Sequence, residues 1–304
     1  MEITKTFDGR CNLHVWREGE EYFRQKSSVF LKEWTNVMFC VIPTPTIQGV
    51  YSRDIAKPLE FPDATFDAVN TYHVFEHLTP QEGRNFTAEI FRVLKPGGIF
   101  RISVPDLEHI CRQYLNYLER SLQDPSIQNI QIYQWTVMEM VDQAVREKSG
   151  GLMLETIASG QYDKEYINQR YSDVFKPFLE SLHRSDEKEE QPLIQRNFIQ
   201  RICSLTPGKL SRGVLHRGKK LCRRISSGKK EDKVFSPRET KEAVRWMYDR
   251  LSLRLLVEKA GFVKYAQMTY KDSSIPNWGR YNFDKSNHGD YAIDPSVYVE
   301  CVKP

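Results

Sequence analysis

The sequence predicts an α/β protein built on parallel strands, and two stretches of the chain carry this prediction. Residues 66–104 have the pattern of a strand, a helix and a second strand, and residues 239–302 resume the alternation. A strand that returns to the same sheet through a helix lies parallel to the first strand, with a right-handed crossover. The residues between the two stretches do not alternate, so we interpret them as an insertion into one α/β domain.

The helix of the first stretch has recognisable ends. Thr79 and Glu82 have the spacing of a capping box, and Pro80 suits the first helical turn. One face carries apolar residues at four-residue spacing, namely Phe86, Ile90 and Leu94. Lys95–Gly98 ends the helix. The mostly apolar strand Ile99–Val104 follows, as expected where helices cover both faces of a sheet.

The remaining elements complete the predicted architecture. We predict further strands over Val263–Thr269 and over Val297–Val302, and helices over Leu107–Leu122, Ile127–Glu147 and residues 239–260. We expect a loop with a polar surface around Trp278–Tyr281. The predicted α/β domain comprises residues 1–107 and 236–304, and residues 108–235 form a helical insertion.

The composition excludes several classes of protein. A hydrophobic fraction of 40% is typical of globular proteins, and no apolar run approaches the about 18–20 residues of a membrane span. Met1–Lys5 has an acid where a secretory signal would begin its basic and apolar stretch. The six cysteines are scattered, without a Cys-x-x-Cys pair. We therefore expect a reduced, cytoplasmic setting.

The positive charge of the chain is concentrated in one segment. The net charge is +4, yet nine basic residues and no acid lie between Gly208 and Lys230, so the rest of the chain is mildly acidic. No aromatic residue interleaves these charges, so we expect no nucleic-acid partner. Weak contact of a flexible segment 208–230 with an anionic membrane surface is one hypothesis. A solvated segment without a ligand is the other.

Three short motifs follow one another between residues 59 and 98. They are Leu59–Val69, His73–Leu78 and Arg92–Gly98. In this order and at these distances they resemble S-adenosylmethionine-dependent methyltransferases of the type 11 kind. Further segments resemble a subgroup of predicted methyltransferases of glycan and surface-polymer synthesis, namely Val104–Leu107, Val141–Arg146 with Gly150 and Gly151, and Trp246–Arg250.

The resemblance implies a doubly wound, Rossmann-like sheet whose last strand is antiparallel, with S-adenosylmethionine as the cofactor. In an open sheet of this kind the ligand lies at the carboxyl ends of the strands. Asp54 matches the family position that accepts from the adenine amino group, and the backbone amide of Ile55 meets the ring. Asn70 and Thr71 would face the methionine end. The alternative is that Asp54 caps a turn and Asn70 merely ends a strand.

The glycine-rich cofactor loop of the family is degenerate in this chain. The first strand is normally followed by G-x-G, whose amides approach the cofactor closely. The resemblance implies that this strand is Cys11–Trp16 and that the next strand runs from Trp34 onward. Cys11–Trp16 is followed by Arg17–Glu21, in which Gly19 is the single glycine. Met38 stands where the subgroup supplies an acid for the ribose hydroxyls. Gly19 is therefore the remaining candidate for a cofactor contact in this loop.

The candidate catalytic residues follow from the chemistry of methyl transfer. The enzyme must align a nucleophile and, for a hydroxyl or an amine, remove its proton. His73, His77 and Asp106 have the right residue types at predicted strand ends. The alternative for the histidines is a structural hydrogen bond near a helix start.

His73-x-x-Glu76-His77 also fits the pattern of inverted zinc peptidases, in which two histidines on one helix bind the metal. A strand precedes this motif directly and a new helix starts at Thr79-Pro80, so we expect no metal.

Two functions fit these observations. The first is methyl transfer from S-adenosylmethionine to an oxygen or nitrogen of a small molecule or glycan precursor, with the insertion shaping the acceptor pocket. The second is a catalytically inactive, methyltransferase-like binding or scaffold protein associated with glycan biosynthesis, because the degenerate loop puts cofactor binding in question. Whether the native chain binds the cofactor separates the two.

Overall fold

Seven strands form one sheet in the computed structural model, which describes residues 3–17, 32–39, 50–171, 236–281, 283–284 and 296–304. The strands are β1 (Asn12–Arg17), β2 (Thr35–Phe39), β3 (Val50–Arg53), β4 (Phe66–Tyr72), β5 (Leu94–Pro105), β6 (Val263–Met268) and β7 (Ser296–Val302). The helices are α1 (Pro80–Val93), α2 (Leu107–Gln123), α3 (Ile127–Val145), α4 (Gly151–Ser159) and α5 (Arg250–Lys259). In this described part of the chain, no helix is long and apolar enough to cross a membrane.

The strand order across the sheet is β3-β2-β1-β4-β5-β7-β6. Strands β1 to β5 pair in parallel, while β7 lies antiparallel between β5 and β6. The predicted α/β sheet with an antiparallel last strand is confirmed. The order reverses between β1 and β4, and ligands of open α/β sheets bind at the carboxyl ends of the strands beside such a reversal.

Helix α1 begins as the sequence predicts. The amide of Glu82 donates to Oγ1 of Thr79 at 3.3 Å, and the amide of Thr79 donates back to the Glu82 carboxylate at 2.8 Å. At the other end, Lys95–Gly98 forms an irregular beginning of β5 rather than a separate turn. Glycine is required there because a Cβ on Gly98 would lie 2.8 Å from the carbonyl oxygen of Lys95.

The predicted helix over residues 239–260 is wrong in its first half, because α5 begins only at Arg250. Residues 236–249, here called the edge strap, direct three consecutive backbone amides to carbonyl oxygens outside the segment. Val244 donates to the carbonyl oxygen of Gln143, and Arg245 and Trp246 both donate to that of Glu76. Amides engaged in this way cannot form the i to i−4 bonds of a helix. The edge strap therefore crosses the sheet just beyond the carboxyl ends of β4 and β5.

The helical predictions for residues 107–147 are accurate to a few residues, as α2 and α3 show. Residues 164–171 are also helical and are tied to α3 by buried charge. The Arg170 guanidinium donates to both carboxylate oxygens of Glu139, at 2.5 and 2.6 Å. The boundaries of the insertion stay a prediction, because residues 172–235, with the basic segment 208–230, lie outside the described residues.

The two faces of the sheet differ in chemistry. Helices α1 and α5 cover one face with an apolar core. The other face carries a row of polar residues that stand opposite one another on five strands, each at most 3% exposed: Asn36, His14, Asn70, Arg101 and Glu300. Among the described residues, the segment 269–284 contributes the aromatic rings over this face, namely Trp278, Tyr281 and Phe283. The expectation of a polar loop around Trp278–Tyr281 is therefore wrong.

Arg101 is the reason why the segment 269–284 lies on the sheet. Its five N–H groups are all used, two by the Asp284 carboxylate and one by Glu300, with the carbonyl oxygens of Thr269 and Asp272 taking the rest. The guanidinium carbon lies 4.5 Å from the centre of the Trp278 ring. A charge with no exposure to solvent is tolerated only when it is paired and fully hydrogen-bonded.

Replacing Arg101 by Met should therefore destabilise the protein strongly. The variant leaves the Asp284 and Glu300 carboxylates buried without their cation, which costs about 3–5 kcal/mol in comparable sites. Urea denaturation followed by circular dichroism measures this loss. The control is Arg112→Met, which removes an exposed partner of Glu108 on α2 and should leave the midpoint almost unchanged. Equal midpoints for the two variants would contradict the assigned role of Arg101.

The buried imidazole of His14 should make folding stability depend on pH. Burial lowers its pKa to about 3, whereas an unfolded chain has a histidine pKa of about 6.5. Between these values the unfolded state binds more protons. The contribution of His14 to the free energy of unfolding therefore falls by about 1.4 kcal/mol per pH unit below pH 6.5.

Denaturation midpoints measured from pH 7 to pH 4 check this prediction. The variant His14→Phe should show a shallower decline than the wild type, and His109→Phe on α2 should keep the wild-type slope. A decline of the same steepness in His14→Phe and the wild type would exclude His14 as its source.

Candidate cofactor and acceptor site

The carboxyl ends of the parallel strands bring the candidate residues to one edge of the sheet. Asp54 follows β3, His73 follows β4 and Asp106 follows β5. The reversal of strand order between β1 and β4 makes this edge the expected ligand site. Gly19 and the degenerate loop after β1 lie outside the described residues, as does the stretch 40–49 after β2.

Asp54 is held in a turn by its own chain and by the edge strap. The amide of Ala56 donates to Oδ1 of Asp54 at 3.1 Å, and Nζ of Lys241 lies 3.4 Å from the same oxygen. Both contacts use Oδ1, so Oδ2 is not engaged by either of them. Ile55 is buried in the apolar core at 1% exposure, so contact of its backbone amide with a ligand stays a prediction. The Asp54 side chain is partly exposed, and its carboxylate is an acceptor for hydrogen bonds.

Asn70 and Thr71 lie inside the sheet near the carboxyl end of β4. Nδ2 of Asn70 lies 3.0 Å from Nδ1 of His14, and the Thr71 hydroxyl donates to the carbonyl oxygen of Arg101 at 3.4 Å. Neither side chain has exposure to solvent. These contacts hold β4 against β1 and β5, and a contact of either residue with the methionine end of the cofactor stays a prediction.

His73 lies between a carboxylate and a hydroxyl. Its Nδ1 is 3.1 Å from Oε1 of Glu76, and its Nε2 is 3.1 Å from Oγ of Ser296. The residue has a φ of 49°, in the left-handed region that non-glycine residues rarely adopt. Such strain concentrates at functional sites, where the surrounding structure enforces it. Here the His73 amide is fixed by a 2.9 Å bond to the carbonyl oxygen of Ser103.

Glu76 is the buried centre of this group. It lies in the short 3-10 helix Phe75–His77, and its Oε1 also approaches Nε2 of His77 at 3.9 Å. Its Oε2 is buried without a hydrogen-bond partner among the described residues. Glu76 has no predicted role outside the zinc motif, and its contact with His73 is not a contact within one helix, because His73 lies outside the helical turn.

Ser296 could not be identified from the sequence. It is the first residue of β7 and stands opposite Pro105, the last residue of β5. The antiparallel pairing thus brings the start of β7 to the carboxyl edge of the parallel strands. Because 223 positions separate Ser296 from His73 and no motif surrounds it, no local pattern signals their contact.

Asp106 serves as the N-cap of α2. Its Oδ1 accepts from the amides of Glu108 at 3.0 Å and His109 at 3.3 Å. Burial raises the pKa of this carboxyl, against the effect of the two amides. The structure therefore gives Asp106 a capping function, and a catalytic function for it stays a prediction.

The geometry of the H-x-x-E-H motif differs from that of a zinc peptidase. Only Phe75–His77 is helical, so His73 and His77 do not share a helix of several turns. In the part of the chain that the structure describes, no group of three or more His, Cys, Asp or Glu residues could hold a metal ion.

Comparisons with known proteins relate part of this sequence to methyltransferases. Residues 45–102 match a family model described as a methyltransferase domain. A Mycolicibacterium smegmatis protein named a probable S-adenosylmethionine-dependent methyltransferase is 48% identical over 48 residues, which are 16% of this chain and 18% of that protein. An uncharacterised methyltransferase of Synechocystis is 36% identical over 55 residues, or 18% of this chain and 26% of the relative. The chain thus spans about a quarter or less of the length of the curated relatives it matches.

Two similar solved structures each overlay only part of this chain. A Pyrococcus horikoshii protein is 22% identical, and the overlay covers 35% of this chain and 55% of the Pyrococcus chain, with a TM-score of 0.26. A Burkholderia thailandensis 1,6-didemethyltoxoflavin-N1-methyltransferase, solved with S-adenosylhomocysteine, is 19% identical and covers 31% and 45%, with a TM-score of 0.24. The sequence match is the stronger finding: residues 45–102 match a methyltransferase domain, and one relative over this part of the chain is named as S-adenosylmethionine-dependent.

Proposed function

We propose that this chain binds S-adenosylmethionine at the carboxyl edge of its sheet and transfers the methyl group to an oxygen or nitrogen of a small molecule or glycan. The observation that carries the proposal is the buried chain of Ser296, His73 and Glu76 at the same edge as Asp54. A hydroxyl, an imidazole and a carboxylate in series are the parts of a general base with its orienting group. The family match of residues 45–102 supports the same reaction.

In this proposal the cofactor is held at several points along the edge. Oδ2 of Asp54 accepts from the adenine amino group, and the amide of Ile55 meets the ring. The end of β4, after Asn70 and Thr71, faces the methionine end, and Gly19, which lies outside the described residues, stays a predicted cofactor contact. When bound, the cofactor supplies a methyl group that its sulfonium already activates, so the protein needs to contribute alignment and proton removal.

His73 is the proposed general base. The Glu76 carboxylate lies at Nδ1, and the Ser296 hydroxyl lies at Nε2. In this proposal Nε2 is the atom that takes up the proton of the methyl acceptor. An imidazolium formed in this way is stabilised by the neighbouring carboxylate, as in hydrolase triads. Glu76 is in turn fixed by the edge strap, because its carbonyl oxygen accepts from Arg245 at 2.7 Å. His77 and Asp106 are further candidates that line the same edge.

Cofactor binding is the first test, and calorimetric titration with S-adenosylmethionine and S-adenosylhomocysteine provides it. We expect both ligands to bind the wild type and to raise its melting temperature with concentration. Asp54→Ala should weaken binding about tenfold or more, because a hydrogen bond to a charged acceptor is lost. The control Asp63→Ala removes an exposed aspartate that pairs with Arg92, outside the proposed site, and should bind normally.

A wild-type chain that binds neither ligand at millimolar concentration would refute the enzyme proposal. That result would favour the inactive binding or scaffold protein that the degenerate loop suggests.

The second test concerns His73. Transfer of tritium from methyl-labelled S-adenosylmethionine into a pooled small-molecule and glycan fraction should fall about a hundredfold in His73→Asn, the usual effect of losing a general base. Cofactor affinity should stay unchanged, because His73 acts on the acceptor. His109→Asn on α2 is the control. Wild-type transfer by His73→Asn would exclude this histidine as the base.

A further inference from the structure

Lys241 is a buried cation on the edge strap, and it belongs to none of the sequence motifs described above. Its side chain is 9% exposed, and Nζ lies 3.0 Å from Oε1 of Glu82 and 3.4 Å from Oδ1 of Asp54. Nζ is also 5.4 Å from the centre of the Phe39 ring, at the carboxyl end of β2. One ammonium thus connects the ends of β2 and β3 with the first turn of α1.

Lys241 belongs to a group of four charged side chains, two positive and two negative. Glu82 is fixed by the capping box of α1, and its other oxygen lies 3.6 Å from Nη1 of Arg245. Burial raises the pKa of the Glu82 carboxyl, but the Thr79 amide and the Lys241 ammonium outweigh burial and lower the pKa to about 2. Two cations and two carboxylates therefore alternate along the order Asp54, Lys241, Glu82, Arg245.

The backbone of the edge strap is strained to put Lys241 in this place. Its φ is 53°, in the left-handed region that is unfavourable for residues other than glycine. A long cationic side chain normally extends into water. Both observations indicate that contacts of the side chain, rather than the local preference of the chain, determine its position.

We propose that Lys241 is a positioning residue for the adenine end of the cofactor site, an inference that rests on the function proposed above. The Lys241 ammonium and the Ala56 amide both bind Oδ1 of Asp54. Together they fix the rotation of the carboxylate, so that Oδ2 is presented as the acceptor for the adenine amino group. Without Lys241, Asp54 can rotate, and Glu82 loses the cation that separates the two carboxylates.

Calorimetric titration of the full chain with S-adenosylhomocysteine tests this role without requiring an acceptor. Lys241→Met keeps the apolar stem but removes the charge, and it should weaken binding about tenfold. Lys241→Arg retains the cation and should recover most of the affinity. The double variant Asp54→Ala/Lys241→Met should bind no more weakly than Asp54→Ala alone, because the two residues act through one contact.

The matched control is Lys95→Met. Lys95 also pairs with an aspartate, Asp67 at 2.7 Å, but this pair lies at the opposite edge of the sheet. Its loss should leave the affinity within about twofold of the wild type. A urea midpoint for each variant without ligand separates a folding defect from a binding defect, and Lys241→Gln is a second neutral variant should Lys241→Met not fold.

Three outcomes would overturn the proposal. Unchanged affinity in Lys241→Met would mean that Asp54 does not depend on Lys241, and a further loss in the double variant would indicate general destabilisation. Tighter binding would mean that the ammonium occupies the place of the adenine amino group. Absence of binding by the wild type refutes the proposed function itself, so the wild-type and variant titrations distinguish the two failures.

Discussion

The fully buried guanidinium of Arg101 is the constraint on which much of this structure depends. A cation on the face of a sheet must have every N–H group satisfied, and Arg101 achieves this only by drawing the segment 269–284 onto the sheet. The bond to Glu300 also joins β5 to β7 through their side chains, in addition to their backbone pairing. The same pairing fixes the first residue of β7, Ser296, beside the end of β5. The ion pair between Arg101 and Glu300 on one face of the sheet thus helps to hold Ser296 at the edge where His73 lies.

The parts of the fold that the sequence predicts are those with local causes. The start of α1 follows from Thr79, Pro80 and Glu82, which lie close together in the sequence and act on their own backbone. The edge strap shows the opposite case. The sequence predicts a helix there, but three of its amides are taken by Glu76 and Gln143, which are distant in the sequence. Trp278 was assigned to a polar loop for the same reason, since its burial depends on Arg101 across the sheet.

The candidate site divides in the same way. His73 is identifiable because it opens an ordered motif after a strand, and Asp54 because the resemblance matches it to a family position. Ser296 and Lys241 belong to no motif, and each reaches the edge through tertiary structure, by antiparallel pairing of β7 and by the strap. Glu76 lies between these cases. Its residue type and spacing were visible, but its contact with His73 depends on the left-handed backbone at His73, which no propensity favours.

The edge strap contacts residues at both ends of the proposed site. Lys241 contacts Asp54 at the adenine end, and only four residues later Arg245 donates to the carbonyl oxygen of Glu76, which orients His73. Four residues span at most about 14 Å, so neither contact can shift far without moving the other. Between them, Val244 bonds to Gln143 of α3, within the part of the chain that we expect to shape the acceptor pocket. A single backbone segment therefore contacts helix α3, the proposed cofactor anchor Asp54 and Glu76, the partner of the proposed base.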